Sequence, residues 1–267
     1  CYAYTRGFLQ HLAASAQIGQ AGSVAIAGDL RPSSARIMAA VSRAVTDSGL
    51  TPINCGQLPT PALTLYGMQQ GIPSIMVTGS HIPDDRNGIK FNTPKGEILK
   101  PDEIAIRQQQ ITIPDGLFDD TGSFLRPQAL PALEPAAGRV YLERYLGKLP
   151  PDALQGLRIG LYEHSGVARD ILSELLTGLG ASVTRLGRSD SFIPVDTEAI
   201  RPQDVELGKA WAAEHNLDTI VSTDGDADRP LVSDESGNWL RGDLAGVVCA
   251  RYLGITHLAT PVSSNTA

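Results

Sequence analysis

Residues 74–81 read Ser74-Ile75-Met76-Val77-Thr78-Gly79-Ser80-His81, and residues 218–229 read Asp218-Thr219-Ile220-Val221-Ser222-Thr223-Asp224-Gly225-Asp226-Ala227-Asp228-Arg229. Each is a short apolar run that ends abruptly in small and polar residues. A run this short, flanked by glycine and rich in β-branched residues, predicts a buried strand rather than a helix. The polar residues then fall at the strand's C-terminal end, where open α/β sheets place their ligands.

Working outward, the segments before each run follow one plan. Residues 2–16 carry Tyr4, Phe8, Leu9 and Leu12 at helical spacing, and Val24-Ala25-Ile26-Ala27 predicts a strand. Gly28-Asp29-Leu30-Arg31-Pro32-Ser33-Ser34 is a loop whose last residues offer a helix cap. Ile37, Val41 and Val45, with Ala40 and Ala44, give one apolar helical face that Gly49 ends. A strand is expected through Ile53 to Cys55, and Pro61 opens another helix, where its missing N–H loses nothing. The second half repeats this: strand 157–162, helix 167–179 stopped by Gly180, strand 182–186, helix 202–216, strand 218–222. Gly49 and Gly56 stand seven apart, as do Gly180 and Gly187. The expected fold class is α/β: successive βαβαβ domains with mixed, mostly parallel sheets and site loops at the strand C-terminal ends.

A segment with Pro114, Gly116, Gly122, Pro127, Pro131, Pro135 and Gly138 breaks the periodicity. It marks the first domain boundary, and Gly237 a second. The expected domains are 1–137, 138–238 and 239–267, the last an opening helix over 246–253 and a strand over 257–262. The chain starts at Cys1 rather than Met, and both ends read as cut points.

Composition narrows the function. The 267 residues hold enough apolar material, 42%, for a substantial core, at roughly 150 residues per domain. A net charge of -7 with no strongly basic stretch argues against nucleic acid as partner. No apolar run approaches the ~20 residues that span a bilayer. Cys1, Cys55 and Cys249 are too few and too far apart for a disulfide framework or a zinc site, which fits a cytoplasmic protein. Cys55 and Cys249 sit in apolar settings and are expected to be inert.

The first polar loop runs Thr78-Gly79-Ser80-His81-Ile82-Pro83-Asp84-Asp85-Arg86-Asn87-Gly88-Ile89-Lys90-Phe91. Gly79 allows a sharp turn that displays Ser80, a candidate nucleophile with His81 and Lys90 as nearby proton-handling groups. Asn87-Gly88 is a hairpin signal that would fold Lys90 back toward Ser80. The alternative is a plain polar turn. The GxSxG elbow of α/β-hydrolases is not matched.

In the second loop Asp224, Asp226 and Asp228 crowd three like charges that a cation would reconcile. Small Gly225 and Ala227 let the backbone curl, and an all-oxygen donor set favours Mg²⁺ or Ca²⁺ over zinc. Two rivals are close. An EF-hand loop would use the same three Asp with Glu235 at its last position, but Arg229 stands where that loop needs glycine. The aspartyl-nucleophile loop of haloacid dehalogenase-like phosphatases also alternates Asp after a strand, with Asp224 as nucleophile, but leaves the serine loop without a role. Gly178-Leu179-Gly180 follows a helix and reads as a helix stop rather than a dinucleotide fingerprint. His11, His164, His215 and His257 read as surface or satisfied core residues.

Together these loops resemble the α-D-phosphohexomutase family. The anchors are Thr78-Gly79-Ser80-His81-Ile82-Pro83, Asn87-Gly88-Ile89-Lys90 and Asp224-Gly225-Asp226-Ala227-Asp228-Arg229, supported by Asp29-Leu30-Arg31-Pro32-Ser33-Ser34 and Pro59-Thr60-Pro61-Ala62. Arg229-Pro230-Leu231-Val232-Ser233-Asp234 resembles the bacterial phosphomannomutase branch. The resemblance implies interconversion of hexose 6-phosphate and hexose 1-phosphate, mannose above all, through a phosphoserine on Ser80 and a bisphosphorylated sugar. It implies Mg²⁺ on Asp224, Asp226, Asp228 and the Ser80 phosphate, and a hexose 1,6-bisphosphate activator. His81 and Lys90 would handle protons, while Arg229 and Arg31 would bind phosphate. A haloacid dehalogenase-like phosphatase, or a non-catalytic phosphosugar-binding remnant, are the other readings. The chain departs from the family at Ile82, where Asn is usual, and at Gly28, where an Arg is common. The family's first active-site loop would precede Cys1 and its sugar-selecting loops would follow Ala267. On that reading the isolated chain binds Mg²⁺ but turns over hexose phosphate poorly or not at all.

Overall fold

A computed structural model describes residues 1–18, 22–260 and 264. It divides into two compact units, one of Cys1–Gly79 and Pro83–Tyr145, the other of Ser80–Ile82 and Leu146–Ala267. The three-residue piece Ser80–Ile82 thus belongs with the second unit, although the loop around it belongs to the first.

The first unit contains α1 (Tyr2–Ala14), β1 (Ser23–Gly28), α2 (Ser34–Asp47), β2 (Thr51–Gln57), α3 (Thr60–Gln70), β3 (Ser74–Val77), β4 (Ile89–Thr93), β5 (Gly96–Glu97) and α4 (Lys100–Gln108), and α5 (Ala136–Leu146) ends it. Its sheet runs β2-β1-β3-β4-β5, with β1 parallel to β2 and β3, and β4 antiparallel to its neighbours. The apolar runs seen in the sequence are the buried centre: every residue of β3 is buried, as are Val24 to Gly28 of β1. Phe8 and Leu12 of α1 and Met38, Val41 and Val45 of α2 join Ile26, Ile75 and Phe91 in one core, where Phe8 stacks on Phe91 at 4.5 Å. Each such side chain, fully buried, contributes about 1.5–3 kcal/mol. Ser33 is the N-cap of α2 but makes no side-chain cap bond, contrary to the expected role of this serine pair. The neighbouring Ser34 hydroxyl turns instead to Asp29.

The second unit contains β6 (Arg158–Tyr162), α6 (Arg169–Gly178), β7 (Ser182–Leu186), α7 (Pro202–His215), β8 (Thr219–Thr223), β9 (Pro230–Ser233), β10 (Trp239–Leu240) and α8 (Gly242–Tyr252). Its sheet runs β7-β6-β8-β9-β10, parallel from β7 through β8 and antiparallel beyond. Term by term, this is the strand order of the first sheet. The glycines seven apart follow suit: Gly49, Gly56, Gly180 and Gly187 all have positive φ, at matching helix and strand ends. The predicted α/β class with mixed, mostly parallel sheets is what the chain adopts; that each sheet is parallel at its core and antiparallel toward one edge is added by the structure.

Two local expectations fail. Asn87-Gly88 does not form a two-residue hairpin: β3 and β4 pair from Val77 opposite Ile89, so residues 78–88 are all loop. Gly88 lacks the positive φ a tight primed turn needs, and Asn87 donates to Ser33 and Ser34 instead. The strand expected over 257–262 is absent through Thr260, and residues 261–262 lie outside the described residues.

Candidate active site and metal centre

In the shared strand order, chain entry into β1 is followed by β2 on one side and β3 on the other, so the C-terminal ends of β1 and β3 flank a switch point. Asp29 and Arg31 follow β1, and Thr78 to Ser80 follow β3. In the second unit Glu163 and His164 follow β6, and the aspartate loop follows β8. The serine loop and the aspartate loop therefore occupy the same position in two copies of one plan.

Ser80 has a φ of 53°, the left-handed region that a serine enters at some strain. Its hydroxyl donates to Asp224 Oδ2 at 2.7 Å and lies 3.4 Å from His81 Nδ1. Asp224 and Asp226 are fully buried and Asp228 is exposed. One carboxylate oxygen from each lies within 4.8 Å of the others, a spacing that could hold a metal ion. The loop is shaped by its own backbone: Asp224 N–H donates to Arg229 O, Arg229 N–H donates to Asp224 Oδ1, and Ala227 takes a φ of 62°. At Gly225 a Cβ would stand 2.9 Å from the carbonyl oxygen of Ser80, so only glycine admits that approach. Burial, then the neighbouring Asp226 charge, push the Asp224 carboxyl up to about 7, against which the Ser80 hydrogen bond pulls down. Two buried carboxylates that resist joint ionisation, in an oxygen-only donor set, fit a hard divalent cation.

Arg229 NH1 donates to His81 Nδ1 at 3.3 Å and pairs with Glu198 at 3.0 Å. Asp196 stands nearby: burial raises its carboxyl, but the Glu198 and Ala199 amides and the charges of His81 and Arg229 bring it below the usual range. Residues 187–201 carry these two acids without helix or strand, anchored where the Ser165 hydroxyl bridges Ile193 N–H and carbonyl. No motif marks them in the sequence, where an Asp-x-Glu pair in an aperiodic loop is their only signal. His164, set aside as a satisfied residue, is buried with a φ of 31° and donates from Nε2 to Thr223 O, the carbonyl just before Asp224. Its Nδ1 is buried without a hydrogen bond, and desolvation lowers the imidazole to about 4, so it is neutral. The signal was there: Glu163-His164-Ser165 directly follows an apolar strand.

Among the remaining expected site residues, Lys90 lies on β4 opposite Met76 in the first unit and borders a groove of about 360 Å³ with Tyr4, Phe91 and Ile106. Arg31 departs from expectation. Its side chain has no exposed surface and is engaged by Asp29 and by two loop carbonyls, which leaves it poorly placed for the phosphate contact expected of it. Cys249 is exposed rather than apolar-buried, whereas burial pushes the Cys55 thiol up to about 12. No helix among the described residues is long and apolar enough to cross a membrane.

Residues 1–113 match the family described as phosphoglucomutase/phosphomannomutase, alpha/beta/alpha domain I, and residues 139–237 match its domain II. The chain belongs to the phosphoglucomutase/phosphomannomutase family. It is 47% identical over 266 residues to a phosphomannomutase of Sinorhizobium fredii, covering 98% of this chain and 55% of that protein. It is 44% identical to a phosphomannomutase of Salmonella muenchen, covering 91% of this chain and 49% of that one. The chain therefore spans about half the length of these curated relatives. Among solved structures, a phosphoglucomutase/phosphomannomutase family protein of Burkholderia thailandensis superposes with a TM-score of 0.71 at 20% identity, over 94% of this chain and 55% of the other. The phosphoglucomutase pp63/parafusin of Paramecium, in its open form, superposes with a TM-score of 0.60 at 17% identity, over 93% and 52%. These two similarities concern the fold.

Proposed function

We propose that the chain is the phosphoryl-carrying and metal-holding part of a phosphohexomutase acting on hexose phosphates, mannose phosphate first among them. The observation that carries this is the Ser80 hydroxyl, 2.7 Å from a carboxylate of the three-aspartate cluster. The 47% and 44% identity to two phosphomannomutases supports the choice of sugar.

In this reading Ser80 Oγ takes a phosphoryl group from a hexose 1,6-bisphosphate activator. The P–O bond to the sugar breaks, the P–Oγ bond forms, and the serine proton ends on the sugar oxygen. The reverse step, onto the other end of the sugar, completes the mutase cycle. Asp224, Asp226 and Asp228 would hold the cation, for which Mg²⁺ suits the oxygen donors. The bound ion supplies neutralisation of phosphoryl charge. Arg229, whose backbone N–H donates to Asp224 and whose NH1 reaches His81, would take the transferring phosphate in place of Glu198. His81 and Lys90 would handle the hydroxyl proton. A phosphosugar is the expected partner and the cytoplasm the expected location.

The test is phosphopeptide mass spectrometry before and after incubation with glucose 1,6-bisphosphate and Mg²⁺. Phosphate on Ser80, absent from Ser80→Ala, is the expected result. Phosphate on Asp224 instead would transfer the chemistry to an aspartyl nucleophile and sink the proposal.

A further inference from the structure

Between β1 and the serine loop lies a buried polar cluster that the phosphoryl chemistry does not use directly. Asp29 and Arg31 both have side chains with no exposed surface, and Arg31 Nε donates to Asp29 Oδ2 at 3.0 Å. The same carboxylate accepts from the Arg31 backbone N–H at 3.1 Å, from the Thr78 hydroxyl at 2.9 Å and from the Ser34 hydroxyl. The far edge of the guanidinium reaches across the loop. NH1 donates to the carbonyl of Pro83 at 2.6 Å and to that of Arg86 at 3.0 Å. Its face lies against Gly79, where an added Cβ would stand 2.7 Å from Cζ. One side chain thus touches the backbone immediately before Ser80 and at two points after it.

We infer that Arg31 is a positioning residue for the phosphate-accepting serine: it clamps the loop on both sides of Ser80 and sets the direction of Oγ, rather than binding phosphate itself. The inference rests on the proposed role of Ser80. Ser80 sits in a left-handed conformation that a free loop would abandon, so something must hold it. A buried ion pair is a poor device for stability alone, but its fixed geometry suits specifying one conformation. The chemistry calls for arginine. A planar guanidinium can face a carboxylate with one edge, two carbonyls with another and a glycine with its flat side, and lysine's single ammonium cannot. Asp29 in turn holds the guanidinium in place and ties it to Thr78 at the end of β3.

The test uses Arg31→Lys in this chain, with three readouts. The first is hydrogen exchange of amides 78–88. The second is the rate at which Ser80 gains phosphate from saturating glucose 1,6-bisphosphate with Mg²⁺. The third is the Kd of that bisphosphate by calorimetry. A clamp predicts faster exchange confined to the serine loop and loading slowed by about 100-fold, the scale of a small misplacement of a reacting group. The Kd should stay within about two-fold of wild type. A Kd raised ten-fold or more with unchanged loading at saturation would make Arg31 a phosphate ligand and overturn the inference. So would wild-type loading and exchange in the variant. If the unsubstituted chain gains no phosphate on Ser80, the functional reading fails while the exchange measurement still decides the clamp. Should Arg31→Lys not fold, Thr78→Val, which removes one bond to Asp29, must give a milder rise in exchange over the same residues. No rise there would overturn the clamp.

Discussion

Asp224 keeps its proton to about pH 7 in the cation-free fold, and an ordinary unfolded carboxyl loses it near 3.8. Between those values the folded state binds the extra proton, so this group's contribution to stability falls as pH rises from about 4 to about 7. A cation on the ionised cluster reverses the slope, since its binding must displace that proton. The Tm gained on adding Mg²⁺ should therefore grow from pH 5.5 to pH 8, as read by thermal melts in paired buffers. A gain that shrinks over that range would contradict the buried cluster as the binding site. Gly79 offers a second residue-scale test. Gly79→Ala would drive a Cβ into a guanidinium that Asp29 prevents from retreating. Overpacking of this kind costs about 1–3 kcal/mol, visible as a lower urea midpoint. Ser80 and the three Asp were legible as candidates because each polar run falls straight after an apolar strand, where open α/β sheets place their ligands. Arg31 was not: a string of letters displays a cation beside two serines, but not that an aspartate two residues earlier takes it inward. His164 was lost for a related reason, because burial by the second sheet is a property of neighbours far along the chain.

At the scale of elements, residues 187–201 hold their shape without regular secondary structure, so their few side-chain anchors matter more. Ser165→Ala removes both hydrogen bonds to Ile193. About 1 kcal/mol of stability should go with them, measured by chemical denaturation. The same loop brings Glu198 to Arg229. In Glu198→Gln the guanidinium loses an anionic partner, and inorganic phosphate should bind more tightly by calorimetry, by a few-fold, given the small energy of an exposed pair. Equal affinity in both proteins would mean that Glu198 and phosphate do not compete. Helices and strands were readable here from periodicity, and this loop was not, since its order comes from Val195 buried in the second core and from scattered hydrogen bonds such as those of Ser165 and Arg169 rather than from a pattern. The Asn87-Gly88 turn misled for the opposite reason. A strong local signal was overridden when Asn87 found better partners in Ser33 and Ser34.

For the whole molecule, the repeated strand order was foreshadowed by two pairs of glycines and by matching apolar runs. The antiparallel edges were less visible, because β5 and β10 are two residues each and leave no period to detect. A global readout comes from the three thiols. Cys1 and Cys249 are exposed and Cys55 is buried with its thiol raised to about 12. A thiol reagent should titrate two groups in the native chain and the third only on unfolding. Three equivalents at once would mean that the first sheet opens readily.

Because both sheets run in one order, the chain contains its own control experiment. A substitution scan across β1 to β5 can be laid over the same scan across β6 to β10, strand against strand. Positions that respond alike report what any chain must do to build this scaffold. Positions that respond in one copy only, with the loops after β3 and β8 as the places to look first, mark where a shared blueprint was given two different jobs.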